Sequence, residues 1–415
     1  MTGRHHPERR RFRRGPRPLQ HPVFRRVLGA SVAGYLVRFV DFTITAWLVV
    51  QQTDSSFAVG LLVFFRIIPF LVFGPFLGVL LDRFPKIAIY RLAQLGMAVA
   101  SGAFALALAN DFGSLPVIYA YTSIMGILLM LEIPSKRAYL SDVVGSRALG
   151  SALALDMVSM NVAWFAGANL GGLIVNMVDP VVAYGLIGLV FSTNYLVLRG
   201  LPIMFRPGIS VAGSNAFLAL ADGFRYVRSN PAIFGGLLVL GVNNFFGYPF
   251  ESMAPAFAND VYGAGPMQFG LLMSAQGLGA LFTALYISLR GRRLRNPGKL
   301  LIGAALIQSM GSIGFSFTQS FEIGFVSIAA LGLVSTVFAI THTMLILLVV
   351  PANYRGRIMG FQVLMMGLYP IGSLTLGFAA DAIGLGQAVR LFAVSGVFFL
   401  ALIWVRYPAL RKPLG

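Results

Sequence analysis

The sequence predicts an all-α integral membrane protein with twelve transmembrane helices in two pseudo-symmetric six-helix halves. Composition, the spacing of apolar runs and an internal repeat lead to this reading. Of the 415 residues 57% are hydrophobic and 11% charged, with a mean hydropathy of +0.79; a soluble domain carries about a quarter charged residues. Apolar runs recur at 27–50, 57–81, 87–109, 115–134, 149–177 and 180–205, then at 232–257, 268–289, 299–317, 322–350, 357–383 and 386–407. Each can cross about 30 Å of hydrocarbon as a helix, which satisfies its own backbone polar groups there. Shifting the chain by 210 positions superposes Gly60 on Gly270, Arg83 on Arg293, Arg147 on Arg357, Gly150 on Gly360, Gly167 on Gly377 and Asp41 on Glu251. Two parallel halves related by an axis along the membrane normal form a transporter architecture, with the substrate site between them near the midplane.

In chain order, residues 1–26 form a basic tail holding nine arginines, from Arg4 to Arg26. Such a tail suits anionic lipid headgroups. The run after it is too long for a signal peptide and lacks a small-residue cleavage site, so it is read as a retained first span. Residues 27–205 are the first half. Residues 206–231 are a polar linker, broken by Arg206-Pro207-Gly208 and carrying a short amphipathic helix over Ala216 to Arg228. Residues 232–407 are the second half and 408–415 a short tail.

The connections alternate in charge. One set carries Arg83, Lys86, Lys136, Arg137, Arg147, Arg225, Arg228, Arg292, Arg293, Arg295, Lys299, Arg355 and Arg357; the other carries Asp54, Asp111, Asp179, Asp260 and Glu322 without a Lys or Arg. By the positive-inside rule both termini are expected in the cytoplasm. The net charge of +18 is thereby explained without nucleic acid, and a monomer is the expected unit. The chain has no cysteine, which excludes disulfides and thiolate metal sites. Phosphate-loop, nucleophile-elbow and metal-spaced histidine motifs are also absent, so no enzyme activity, cofactor or metal is expected.

Ionisable groups inside hydrocarbon need a partner or a wet cavity. Arg38 and Asp41 share one face of span one and Arg66 sits at similar depth in span two, which suggests an Arg38–Asp41–Arg66 cluster. It reads either as a cavity group whose carboxylate switches partners or as a fixed ion pair. Glu251 lies between Pro249 and Pro255 in span seven, with no cation near it in sequence. Such an acid suits proton exchange; the alternative is a solvated acid at the outer rim. Glu132 reads more readily as an interfacial anchor than as a cavity residue. Asp156 begins a small-residue stripe continuing through Gly167 and Gly171, where close helix packing is the simpler reading, and it can pair with Lys136, Arg137 or Arg147. His342, flanked by threonines, is either a proton-relay group or a packing residue.

Gly78-Val79-Leu80-Leu81-Asp82-Arg83-Phe84-Pro85-Lys86 sits between spans two and three. It resembles the cytoplasmic signature of the major facilitator superfamily, G-x-x-x-D-R-x-G-R-[KR]. Gly78, Asp82 and Arg83 match, Lys86 holds the basic position, and Pro85 replaces a glycine. Gly167-Ala168-Asn169-Leu170-Gly171-Gly172 is similar to the antiporter motif G-P-x-x-G-G, with Ala168 in place of proline. Pro351-x-x-x-Arg355-Gly356-Arg357 and Pro69-Phe70-x-x-x-Gly74-Pro75 resemble the branch of bacterial exporters for macrolides and siderophores such as enterobactin. Span four lacks the arginine of many proton-coupled members.

The resemblance implies a multi-pass protein of the bacterial inner membrane, a small-molecule substrate and alternating access. It favours efflux of a lipophilic or amphiphilic drug- or siderophore-like compound, with proton antiport as one coupling scheme. An importer of the same fold and a non-transporting receptor or scaffold are the alternatives. The signature is read as a cytoplasmic gate. Asp82 is expected to latch onto the helix start at Arg355-Gly356-Arg357, because Arg292 replaces the acid in the second half.

Overall fold

The structure, a computed structural model, describes residues 18–53, 55–204, 224–290, 296–350, 358 and 361–411. Twelve helices among these are long and apolar enough to cross a membrane. They are α1 (Pro22–Gln52), α2 (Ser56–Arg83), α3 (Lys86–Ala109), α4 (Leu115–Gly145), α5 (Ala148–Met177), α6 (Pro180–Arg199), α7 (Pro231–Val261), α8 (Pro266–Arg290), α9 (Pro297–Phe315), α10 (Phe321–Val349), α11 (Phe361–Ile383) and α12 (Leu385–Arg406). An even number of crossings puts both chain ends at one face, called here the terminal end; the other is the far end.

Local chemistry sets the helix starts. Proline opens α1, α6, α7, α8 and α9, where its missing N–H costs nothing and its fixed φ suits the first turn. Ser55, Asp179 and Asn230 cap α2, α6 and α7 by accepting backbone N–H bonds, as short polar side chains do at N-caps. Gly145, with φ 70°, makes the corner between α4 and α5. α7 is regular only to Val242. It then passes through wide turns at Asn243–Gly247 and Phe257–Val261 and a tight turn at Pro249–Met253. Pro249 and Pro255 each remove a backbone donor, which breaks the α-helical ladder.

Some expectations need correction. The fourth span continues past residue 134 to Gly145, so Lys136 and Arg137 lie within a helix; Lys136 is fully buried. Pro134 is carried inside this helix, so it does not end it. The sixth span stops at Arg199, not 205. Of the linker helix, residues 224–229 are described and helical.

The halves meet through α2 against α11 and α5 against α8. One apolar core near the far end draws on both halves, including Trp47, Phe104 and Tyr184 with Phe250, Phe257, Phe269, Phe315 and Leu376. Towards the terminal end the described core residues divide. Phe24, Tyr90, Tyr139 and Leu198 cluster within the first half, and Val239, Leu301, Phe338 and Leu400 within the second. Among the described residues, one core thus joins the halves at the far end, while each half keeps its own core at the terminal end.

Candidate functional site

Among the described residues, three buried ion pairs lie within the first half. Asp41, with no exposed surface, accepts from Arg66 Nη2 at 2.9 Å and from the Tyr121 hydroxyl at 2.7 Å. Thr45 contacts the same carboxylate at 3.4 Å and shares a 2.7 Å hydrogen bond with Tyr184. Arg38 Nη1 meets Glu132 at 3.4 Å. Lys136 Nζ donates to Asp156 at 3.0 Å and to Tyr35, whose hydroxyl donates to the other Asp156 oxygen at 2.9 Å. The Tyr35 ring also lies against both Arg38 and Lys136.

The expected Arg38–Asp41–Arg66 cluster therefore resolves into two separate pairs. α4 packs against both α1 and α2 and supplies Glu132 to Arg38, leaving Asp41 to Arg66. Glu132 is not an interfacial anchor, because its helix runs a further thirteen residues, to Gly145, and its side chain is only 2% exposed. Asp156 takes Lys136 from the three cations considered; the Arg147 side chain lies outside the described residues. Its stripe does pack closely: a Cβ on Gly167 would stand 2.6 Å from the Leu36 carbonyl, and one on Gly171 2.7 Å from Thr43. Gly172 instead faces the other half, 2.5 Å from the Pro266 carbonyl by the same measure.

These close approaches fix the true repeat. Gly126 of α4 sits on the Arg66 carbonyl as Gly332 of α10 sits on that of Gln276. Gly167 faces Leu36 and Phe39 as Gly372 faces Phe245 and Pro249, while Gly172 meets the start of α8 as Gly377 meets that of α2. The offset is therefore 209 to 210 for α1/α7 (36 to 245, 39 to 249) and 210 for α2/α8 (66 to 276), becomes 206 for α4/α10 (126 to 332), and is 205 for α5/α11 (167 to 372, 172 to 377). The expected match of Gly167 with Gly377 is thus displaced by five residues. Connections can shorten without disturbing helix packing, and an ungapped shift does not detect this.

In this register each first-half ion pair has a twin. Arg38–Glu132 corresponds to Tyr248–Phe338, an edge-on ring contact at 5.8 Å. Lys136–Asp156 corresponds, within one residue on α11, to His342–Gln362, whose side-chain nitrogens lie 2.7 Å apart. His342 Nδ1 also lies 3.1 Å from the Phe338 carbonyl. The ring is thus held by hydrogen-bond partners at both nitrogens. Asp41–Arg66 corresponds to Glu251–Gln276. Two twins have thus lost both charges, and the third only its cation.

Glu251 is not at the far rim. It lies in the tight turn of α7 that packs on α2 and α11. Its Oε1 is buried without a hydrogen-bond partner, Gln276 is the polar neighbour of its carboxyl group, and Tyr248 and Tyr369 are close enough to feel its charge. Among the described residues no salt bridge reaches it. A buried carboxyl group needs a cation, a proton or a donor, and here the cation is missing.

At the expected gate, Arg83 is exposed in the last turn of α2, and Lys86 pairs with Asp142 at 2.9 Å inside its own half. The surroundings of Gly78, the Asp82 side chain, and Arg355 and Arg357 entirely lie outside the described residues. Sequence reasoning missed Tyr35, Tyr121, Tyr184 and Gln276. Gln276 was within reach, because Arg66 shifted by 210 falls on it.

The sequence matches the family described as transmembrane secretion effector over residues 15–412. It is 22% identical to macrolide efflux protein A of Streptococcus pyogenes over 85% of this chain and 87% of that one. It is 25% identical to the enterobactin exporter EntS of Salmonella choleraesuis, over 88% and 84%. Its fold is similar to that of the nucleoside transporter NupG, with a TM-score of 0.70 at 13% identity, covering 94% of this chain and all of the other. The sequence signature, the paired six-helix halves and these matches agree: the chain belongs to the transmembrane secretion effector family of the major facilitator superfamily.

Proposed function

We propose that the protein is a secondary transporter of the bacterial inner membrane that exports a lipophilic or amphiphilic small molecule by alternating access, driven by protons entering through Glu251. The observation carrying the coupling is the contrast between two symmetry-related acids. Asp41 is held by Arg66, Tyr121 and Thr45, whereas Glu251 has an amide in place of the arginine. A carboxylate fixed by a cation at 2.9 Å is a structural element; one without a cation can exchange its proton with a cavity. Arg38, Arg66, Glu132, Asp156 and Lys136 are accordingly assigned to the scaffold of the first half, and His342 to packing.

The Lys and Arg bias supports a cytoplasmic terminal end, and in that orientation the divided terminal-end core fits an inward-open state. Cargo enters there between α1, α4, α7 and α10. Export follows the printed activities of the relatives, macrolide efflux and enterobactin export. The test uses everted vesicles with an imposed proton gradient and three probes: a macrolide, a lipophilic dye and a catecholate siderophore. Gradient-driven accumulation of at least one is expected, with its pH dependence lost in Glu251→Gln. Unchanged gradient-driven flux in that variant removes Glu251 as the coupling residue. Accumulation only in right-side-out vesicles reverses the direction.

A further inference from the structure

We infer that Asp381 is a gating residue of the transport cycle, a carboxylate on one half that caps a helix of the other and holds the far end shut. Asp381 lies in the last turn of α11. Its carboxylate accepts from Ser55 Oγ at 2.5 Å, from the Ser56 N–H at 2.7 Å and from the Phe57 N–H at 3.3 Å. These residues begin α2, whose first N–H groups have no partner within the helix and carry its positive dipole end. The inter-half contact thus does the work of an N-cap.

The surrounding seam is shaped for this contact. Gly377, one turn before Asp381, lies against Ser56 and Phe57, and Gly60, one turn into α2, lies against Ser373; a Cβ on either would fall 2.7 or 2.8 Å from a facing carbonyl oxygen. Backbones this close bring the carboxylate to the helix start without a long side chain. Among the described residues the opposite seam has no such acid. The offset of 205 puts neutral Asn176 at the position of Asp381, and the first N–H of that region, Gly265, is met by Gln268 of its own half. The charged latch is therefore confined to α2–α11, the pair that carries Asp82 at its other end.

Any cycle that opens the far end must part α2 from α11 there, breaking these bonds and leaving the N–H groups of Ser56 and Phe57 to water. Asp381 is a positioning residue: it touches no cargo and sets how often the far end opens. The inference rests on alternating access and on neither the direction of transport nor the coupling ion.

The chain has no cysteine, so a single reporter can be read without background. Ala254, buried at 4% exposure where α7 packs on α1 and α2, reports far-end opening as Ala254→Cys; Ser151, exposed near the start of α5, reports the terminal end as Ser151→Cys. Labelling with a membrane-impermeant maleimide is measured from each side of the membrane. Asp381→Asn keeps an acceptor oxygen but removes the negative charge at the helix start, which gives an expected rise of roughly two- to fivefold at Ala254→Cys, with a matching fall at Ser151→Cys. Asp381→Glu should restore most of the difference, and Ser55→Ala should shift both reporters about twofold in the same sense. Unchanged labelling at both sites in Asp381→Asn overturns the inference, as does a rise at both, which would mean a loosened structure. If Asp381→Asn does not reach the membrane, unchanged labelling in Ser55→Ala overturns it instead.

Discussion

The twin relationship between Asp41–Arg66 and Glu251–Gln276 can be tested by installing the missing cation. In Gln276→Arg, the guanidinium occupies the symmetry-related position of Arg66, whose Nη2 lies 2.9 Å from Asp41 with both side chains at most 8% exposed. At a charge separation of about 4 Å and an effective dielectric of about 20, such a pair is worth about 4 kcal/mol. With about 1.4 kcal/mol per factor of ten, opposition to protonation of Glu251 amounts to roughly a thousandfold. Gradient-driven accumulation in everted vesicles should fall to background. Exchange of labelled for unlabelled cargo without a gradient should remain within about threefold of wild type, because it needs no proton. Gln276→Met, of similar size and without charge, should keep the gradient dependence. Full gradient-driven accumulation by a folded Gln276→Arg protein would refute both the twin assignment and the coupling role of Glu251.

The other predictions concern the scaffold. Lys136→Met leaves Asp156 buried and unpaired, so detergent-solubilised protein should lose about 3–5 kcal/mol and melt at markedly lower temperature. The double variant Lys136→Met/Asp156→Leu should recover most of that loss, since removing a buried pair together is close to neutral. Tyr121→Phe deletes the 2.7 Å bond to Asp41 and should cost about 1.5–3 kcal/mol in the same melting assay, the usual range for a hydrogen bond to a charged group. Gly172→Ala places a methyl group 2.5 Å from the Pro266 carbonyl in the α5–α8 seam; far-end labelling at Ala254→Cys should rise, and an unchanged rate would show that the seam gives way elsewhere.

Much of the architecture was legible because the bilayer leaves few options. Runs of apolar residues reflect burial in hydrocarbon, loop charge reflects orientation across the membrane, the repeat reflects two like halves, and all survive as sequence patterns. Helix continuations were less so: Lys136 reads as a loop cation, yet it is buried because Asp156 of the next helix and Tyr35, 101 residues before it, meet it there. The partner of Arg38 was misread for a related reason. Spacing along α1 points it at Asp41, whereas the third helix packed there supplies Glu132. Asp381 gave no signal, since an acid near a span end is ordinary and its meaning comes from a helix more than three hundred residues away. The five-residue drift of the repeat was visible only once facing glycines showed which backbones touch.

The uneven distribution of buried charge also bears on biogenesis. Each Lys, Arg or Asp at the centre of an isolated helix costs about 2.5–3.5 kcal/mol on entering the bilayer. α1 carries both Arg38 and Asp41, and neither meets its partner until α2 and α4 arrive. Lys136 on α4 likewise waits for α5. The early helices therefore emerge from the ribosome with unmet charges and gain from being held at the insertion machinery until five have assembled. The later helices bear almost none and can pass into lipid one at a time, so the two halves of one duplicated design should differ in how strongly they depend on that machinery.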